Sequence, residues 1–159
     1  MQSSSYWDLR FDSQRDNGTD DHADAIRSLL EGSINLHLRS DVPLGVFLSG
    51  GLDSSAVVSL LAPGASAGLK TFSVAYEFGL DYDETRYARQ VSAAFRTDHH
   101  EVRVTPDQFV DFLPQYIWHM DEPVTEAAAI SLYYVAKLAR EHVTVGLSGE
   151  GSDELFAGY

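Results

Sequence analysis

Cysteine is absent from the 159 residues. That removes disulfides, thiolate zinc sites and a cysteine nucleophile together. Positive charge is scarce: 11 Lys and Arg stand against 24 Asp and Glu, a formal net charge of −13. A surface of that sign repels phosphate backbones, so no nucleic acid partner is expected. No apolar run is long enough to cross a bilayer, and the residues after Met1 lack the basic and apolar regions of a signal peptide. No membrane partner is therefore expected, and a cytoplasmic setting is the default. No internal repeat or low-complexity tract is visible. What is present is a chain of one-domain size, 44% apolar and 22% charged, able to bury a core.

Read along the chain, residues 1–19 are polar and irregular apart from Tyr6, Trp7 and Phe11, which are expected to dock locally. Asp12 to Asp21 has the composition of a loop or linker. Ile26, Leu29, Leu30, Ile34 and Leu38 recur at helical steps after a cap at Thr19 or Asp20, and Asp41-Val42-Pro43 ends that helix. Leu44 to Leu48 is an apolar run leading into a glycine turn, read as a buried strand. Asp53 to Leu61 is helical and Pro63-Gly64 stops it. A second strand covers Thr71 to Tyr76. A helix covers Asp83 to Phe95, with Tyr87, Val91 and Ala94 on one face. A third strand runs from His100 to Val104. Thr105-Pro106 starts a helix reaching about Met120, kinked at Pro114. Another helix spans about Ala127 to Arg140, and a fourth strand spans Val143 to Leu147. This alternation predicts an α/β fold, a doubly wound parallel sheet with helices on both faces.

Two segments carry chemistry. Ser-Gly-Gly-Leu-Asp-Ser-Ser at 49–55 follows the first strand. Glycine permits a tight turn and close approach of backbone to ligand. A helix that opens there offers unpaired N–H groups and the positive end of its dipole, which suits phosphate. An ordinary strand–turn–helix joint capped by Asp or Ser is the plainer alternative; three hydroxyls and a carboxylate around two glycines argue against it. The segment lacks the Gly-Lys-Ser/Thr of a Walker A loop and the Gly-x-Gly-x-x-Gly of a dinucleotide site. The second segment, 148–159, repeats the logic: apolar strand, Ser-Gly turn, acidic residues. If strands one and four are neighbours where strand order reverses, the two segments face each other beyond the strand ends. Asp53 and Asp153 then hold Mg²⁺ against one triphosphate, which answers how so acidic a chain binds a nucleotide.

The segment at 49–55 resembles the pyrophosphate-binding loop of the ATP-pyrophosphatases, whose fold is the HUP or adenine nucleotide alpha hydrolase-like class. The segment at 148–159 resembles the second signature of the asparagine synthetases within that family, with Ala157 where glycine is more usual. The likeness extends through Asp41 to Leu48, Thr71 to Val74, Asp83-Glu84, His99-His100-Glu101 and Asp121-Glu122-Pro123-Val124. Tyr6 to Leu9 resembles the segment joining glutaminase and synthetase domains. The resemblance implies that 1–19 is a linker from a glutaminase domain and that 20–159 is the N-terminal part of a synthetase domain. It implies ATP and Mg²⁺ as cofactors, and aspartate and ATP as substrates. Ser49, Gly50, Gly51, Ser54 and Ser55 would hold phosphates. Asp53 and Asp153 would bind Mg²⁺. Phe47, Val74, Ser148 and Gly149 would surround the adenosine. Glu150 would handle a proton as ammonia attacks β-aspartyl-AMP.

A chain without cysteine is not expected to hydrolyse glutamine by a cysteine-led route, and 1–159 is expected to be a fragment of a longer enzyme. A β-lactam synthetase-like or other natural-product amide ligase is the close alternative; a non-catalytic ATP-binding module and a purely structural α/β domain are the others. A homodimer stays open. His99 and His100, adjacent on a strand, point to opposite faces and are not expected to share a metal. His22, His37 and His142 suit surface or helix-end roles, Tyr133-Tyr134 suit helix packing, and His119 and Asp121 are candidates for a role just outside the site.

Overall fold

The computed structural model describes residues 3–8, 10, 18–65, 68–77, 84–122, 128–156 and 158. Leu9, Phe11, residues 12–17, Asp83, Pro123, Val124, Ala127, Ala157 and Tyr159, which the sequence reading uses, lie outside them. The elements run α1 (Thr19–His37), β1 (Leu44–Phe47), α2 (Leu52–Leu61), a 3₁₀ turn (Ala62–Gly64), β2 (Lys70–Tyr76), α3 (Thr85–Phe95), β3 (Asp98–Val104), α4 (Pro106–Met120), α5 (Ala128–Ala139), β4 (Val145–Leu147) and α6 (Ser152–Phe156). The strands form one parallel sheet in the order β3-β2-β1-β4. The chain thus reverses its direction across the sheet between β1 and β4, as expected for a doubly wound fold.

Alternation along β1 assigns the two faces. Val46 and Leu48 are buried against Ile34 of α1, Val58 and Leu61 of α2, and Ala88 of α3. Phe47 points the other way, with Phe72 and Val74 of β2, towards Val135, Leu138 and Ala139 of α5. Outside α5 lies α4, packed through Phe112, Tyr116 and Ile130. Tyr133 stacks on Phe112 at 3.9 Å between ring centroids, and the Tyr134 hydroxyl donates to the Gln108 carbonyl at 2.9 Å. These are the packing roles expected of that pair. Full burial of Phe72, Val46 and Val58 makes the sheet centre the main apolar reservoir, each such side chain contributing about 1.5–3 kcal/mol.

Several local expectations give way to tertiary context. Thr19 is the first helical residue of α1, and Gly18, at φ 90°, is its N-cap without any side-chain cap; a glycine turns the chain in where no L side chain sits easily. Of the α1 stripe only Ile34 is buried, while Leu29 is 74% exposed. The buried residues of α3 are Thr85, Ala88 and Ser92, with Val91 packed partly against the core beside them, while Tyr87 and Ala94 are exposed. Small side chains win there because the helix lies close to the sheet, and the Ser92 hydroxyl accepts from Thr97 Oγ1 at 2.9 Å. Pro114 sits inside α4, which runs unbroken. That helix starts at a full capping box between Thr105 and Gln108. Tyr6 and Trp7 do not dock: both are exposed, and the nearby Ser5 hydroxyl bonds the Trp7 carbonyl instead.

The paired histidines separate as the strand pleat requires. His99 faces α3, bonded to Thr71 Oγ1 at 2.9 Å and beside Glu101 at 3.2 Å. Glu101 in turn receives a two-pronged contact from Arg89, at 2.7 and 2.6 Å. His100 faces α5, stacked on His142 at 3.9 Å and on Phe72 at 5.5 Å. Its buried Nε2 lies 3.3 Å from an Asp98 oxygen, outside hydrogen-bond geometry. Burial pushes His99 below the ordinary histidine value, against the pull of Glu101. The hydrogen bonds from Arg89 hold Glu101 below the ordinary carboxylate range. Both shifts have the same consequence: the unfolded chain takes up these protons first as pH falls. The thermal midpoint is expected to decline below about pH 6.5, where an unfolded histidine protonates, and to fall further as Glu101 titrates in more acid solution. His99→Gln should flatten the first part of this profile. A midpoint that holds steady or rises from pH 7 to pH 5 in the parent protein would contradict the assignment.

Candidate functional site

Leu44, Gly45 and Val46 of β1 pair with Val145, Gly146 and Leu147 of β4. Equal register brings the loops after both strands to one edge. Between them lies a cavity of about 200 Å³ lined by Phe47, Ser49, Asp53, Ser54 and residues 148–154. The two segments singled out in the sequence therefore form one site, beyond the carboxyl ends of the strands at the point where strand order reverses.

The first loop is set by contacts that only glycine allows. Gly50 has φ 91°, and a Cβ there would stand 2.7 Å from the Ala88 amide nitrogen and 2.9 Å from the Glu84 carbonyl oxygen. The start of α3 is thereby pressed against the turn. Gly51 is the N-cap of α2 with no side-chain cap, so the first N–H groups of that helix have no partner within it. The hydroxyls arrange themselves around it. Ser49 Oγ and Ser54 Oγ are 3.0 Å apart, the Gly51 N–H donates to Ser49 Oγ at 3.2 Å, and Ser55 Oγ donates to the Gly51 carbonyl at 2.6 Å. Asp53 lies in the first turn of α2, where the dipole favours a negative side chain.

The second loop closes over the first. A Cβ on Gly149 would lie 3.0 Å from the Ser54 nitrogen and 3.2 Å from Asp53 Cβ, so the two loops meet backbone against backbone. Gly151 turns the chain at φ 98°, and Ser152 Oγ donates to the Gly149 carbonyl at 3.2 Å. Short α6 then carries Asp153 and Glu154. Neither this helix nor the contributions of Gly151, Ser152 and Glu154 to the lining was assigned from sequence, although all three residues lie within the quoted motif.

Of the residues nominated from sequence, Phe47, Ser49, Asp53, Ser54, Ser148, Gly149, Glu150 and Asp153 share the cavity wall. Gly50 and Gly51 do not line it; they form the turn between Ser49 and the start of α2. Ser55 turns its hydroxyl back to the loop, and Val74 packs in the core against the α5 side. His119 and Asp121 are exposed at the end of α4 and do not line the cavity.

Asp53, Glu150, Asp153 and Glu154 put four carboxylates on the wall and no Lys or Arg. Among the described residues no three His, Cys, Asp or Glu side chains converge as a complete metal cage. All-oxygen donors with an incomplete cage fit Mg²⁺, which is commonly held by one or two carboxylates together with the phosphates of its substrate.

The family model described as asparagine synthase matches residues 25–159. The glutamine-hydrolyzing asparagine synthetase 1 of Bacillus subtilis (strain 168) is 47% identical over 134 residues, 84% of this chain and 21% of the relative. The glutamine-hydrolyzing asparagine synthetase B of Escherichia coli (strain K12) is 33% identical over 165 residues, 94% of this chain and 29% of the relative. The chain thus spans between a fifth and a third of the length of these curated relatives. Among solved structures, the NH3-dependent NAD synthetase from Campylobacter jejuni is similar in fold, with a TM-score of 0.57 at 12% identity over 88% of this chain and 60% of that one.

The packing at Gly50 yields a direct test. Gly50→Ala forces both an unfavourable φ and a collision with α3 backbone, and should destabilise the protein by about 1–3 kcal/mol. Urea unfolding measures it, and a midpoint equal to that of the parent would show that the loop does not abut α3 as described.

Proposed function

The chain belongs to the asparagine synthase family, and from that premise we propose that its cavity binds ATP with Mg²⁺ and serves the adenylation of a carboxylate, aspartate in the first instance. The observation that carries this reading is the convergence of the loops at 49–55 and 148–154 on one cavity. Ser49, Ser54 and the N-terminal amides of α2 supply donors to the phosphates, while Ser55, whose hydroxyl is spent on the Gly51 carbonyl, would reach them only by releasing that bond. Phe47, Ser148 and Gly149 line the cavity at the strand ends and would surround the adenosine largely through their backbone; Val74, whose side chain packs against α5, would reach it only through its backbone. When bound, Mg²⁺ would neutralise phosphate charge between Asp53 and Asp153.

A carboxylate is a poor electrophile because its leaving group would be oxide. In the proposed reaction the aspartate side-chain oxygen attacks the α-phosphorus, the bond to the bridging oxygen breaks, and pyrophosphate departs. The resulting β-aspartyl-AMP carries a good leaving group. Ammonia then attacks the acyl carbon, AMP leaves, and the nitrogen gives up a proton. Glu150, on the turn after β4, takes that proton in this scheme. In the longer protein the ammonia would come from glutamine, hydrolysed by a separate glutaminase domain joined through residues 1–19.

Two substitutions separate the roles. Asp53→Asn should abolish most of the gain in ATP affinity that Mg²⁺ brings, measured by titration calorimetry on this chain; an undiminished gain would remove Asp53 from the site. Glu150→Gln, placed in the longer protein, should slow amide formation by about 10²–10⁴-fold while ATP–pyrophosphate exchange persists. Equal loss of exchange and amide formation would place Glu150 before the ammonia step instead.

A further inference from the structure

Gly158 sits beyond α6 and does not line the cavity, yet its α-carbon lies against a group that does. Its N–H donates to the Asp153 carbonyl at 3.1 Å, a closure of the kind that ends a helix. A Cβ built on Gly158 would overlap Asp153 Oδ1 and stand 2.9 Å from its Cγ and 3.3 Å from its Cα. All three nearest neighbours belong to one residue. Its backbone angle is not the reason: among the described residues the positive-φ glycines are 18, 50, 68 and 151. An alanine is conformationally allowed at 158, and its cost falls on the Asp153 carboxylate.

We infer that Gly158 is a positioning residue for Asp153, the missing side chain leaving the space in which that carboxylate is held toward the cation site. The size of the effect follows from the distances. An ordinary contact with a Cβ begins at 3.4 Å, so Oδ1 must retreat by about 1 Å or more. Mg²⁺ takes its oxygens at about 2.0–2.1 Å in near-ideal octahedral geometry, and a retreat of that size removes the ligand. Gly149 differs: it approaches the backbone of Asp53 and Ser54 and the Asp53 Cβ, not the Asp53 carboxylate.

The inference rests on the proposed Mg²⁺-ATP site, and the test keeps the two apart. ATP affinity is measured by calorimetry with and without Mg²⁺ for the parent chain, Gly158→Ala, Asp153→Asn, the double variant, and Gly32→Ala as a glycine whose added Cβ meets nothing within 4 Å. Gly158→Ala should keep the parent's far-UV spectrum and metal-free ATP affinity. It should lose the Mg²⁺-dependent gain by about 10–100-fold, the usual cost of disturbing a group that orients a metal ligand. In the Asp153→Asn background the alanine should add nothing further, and Gly32→Ala should behave as the parent. A full Mg²⁺ response in Gly158→Ala, an effect additive to Asp153→Asn, or an unfolded Gly158→Ala would each overturn the role of Gly158 while leaving the site reading intact. A parent chain whose ATP affinity ignores Mg²⁺ would overturn the site reading, and this inference with it.

Discussion

The parallel pairing of β1 with β4 is the constraint from which the site follows. Three residues of β1 in register with three of β4 bring two loops, separated by about ninety residues of sequence, to the same edge of the sheet. The intervening strands and helices serve that pairing. β2 and β3 extend the sheet on the far side of β1, and α5 covers Phe47 and Phe72 before the chain enters β4. A one-residue slip would turn Phe47 to the face now occupied by Val46 and Leu48. Burial of Val46 and Leu48 on one side, with Phe47 packed partly against α5 on the other, is what fixes the register.

Glycine has three separate duties around the cavity. Gly50 and Gly151 take backbone angles that side chains avoid. Gly50 and Gly149 also permit contact between segments, the first with α3 and the second with the first turn of α2. Gly158 does neither; it leaves room for the Asp153 carboxylate, which the proposed site uses. An acidic wall without a basic residue would repel a triphosphate by itself. Under the proposed function the arrangement calls for a cation between the carboxylates and the phosphates, and the placement of Asp53 and Asp153 would then matter more than the number of acids.

Much of this was legible in the sequence because strands and motif loops leave periodic and compositional marks. The four strands and their alternation with helices follow from apolar and alternating runs, and the meeting of the two loops follows from the two runs that end in Ser-Gly, β1 and β4. The separation of His99 from His100 follows from the strand pleat. Other features depend on contacts distant in sequence. The exposure of most of the α1 stripe, the choice of Ala88 rather than Tyr87 for the inner face of α3, and the stacking of His100 on His142 are set by what lies opposite. Short α6 was hidden because five residues give too few turns for a period to appear. The closeness of Gly158 to Asp153 leaves no mark in the sequence beyond the glycine itself.

The central claim is that carboxylates from both loops hold one cation with one nucleotide. Paramagnetic broadening tests it most directly: Mn²⁺ replaces Mg²⁺ in the presence of ATP, and the loss of backbone amide signals is mapped along the chain. The account predicts that residues 49–55 and 148–154 broaden together at low Mn²⁺, and that neither segment does so in Asp53→Asn. Broadening confined to one loop, or centred on the His99–Glu101 strand, would contradict it.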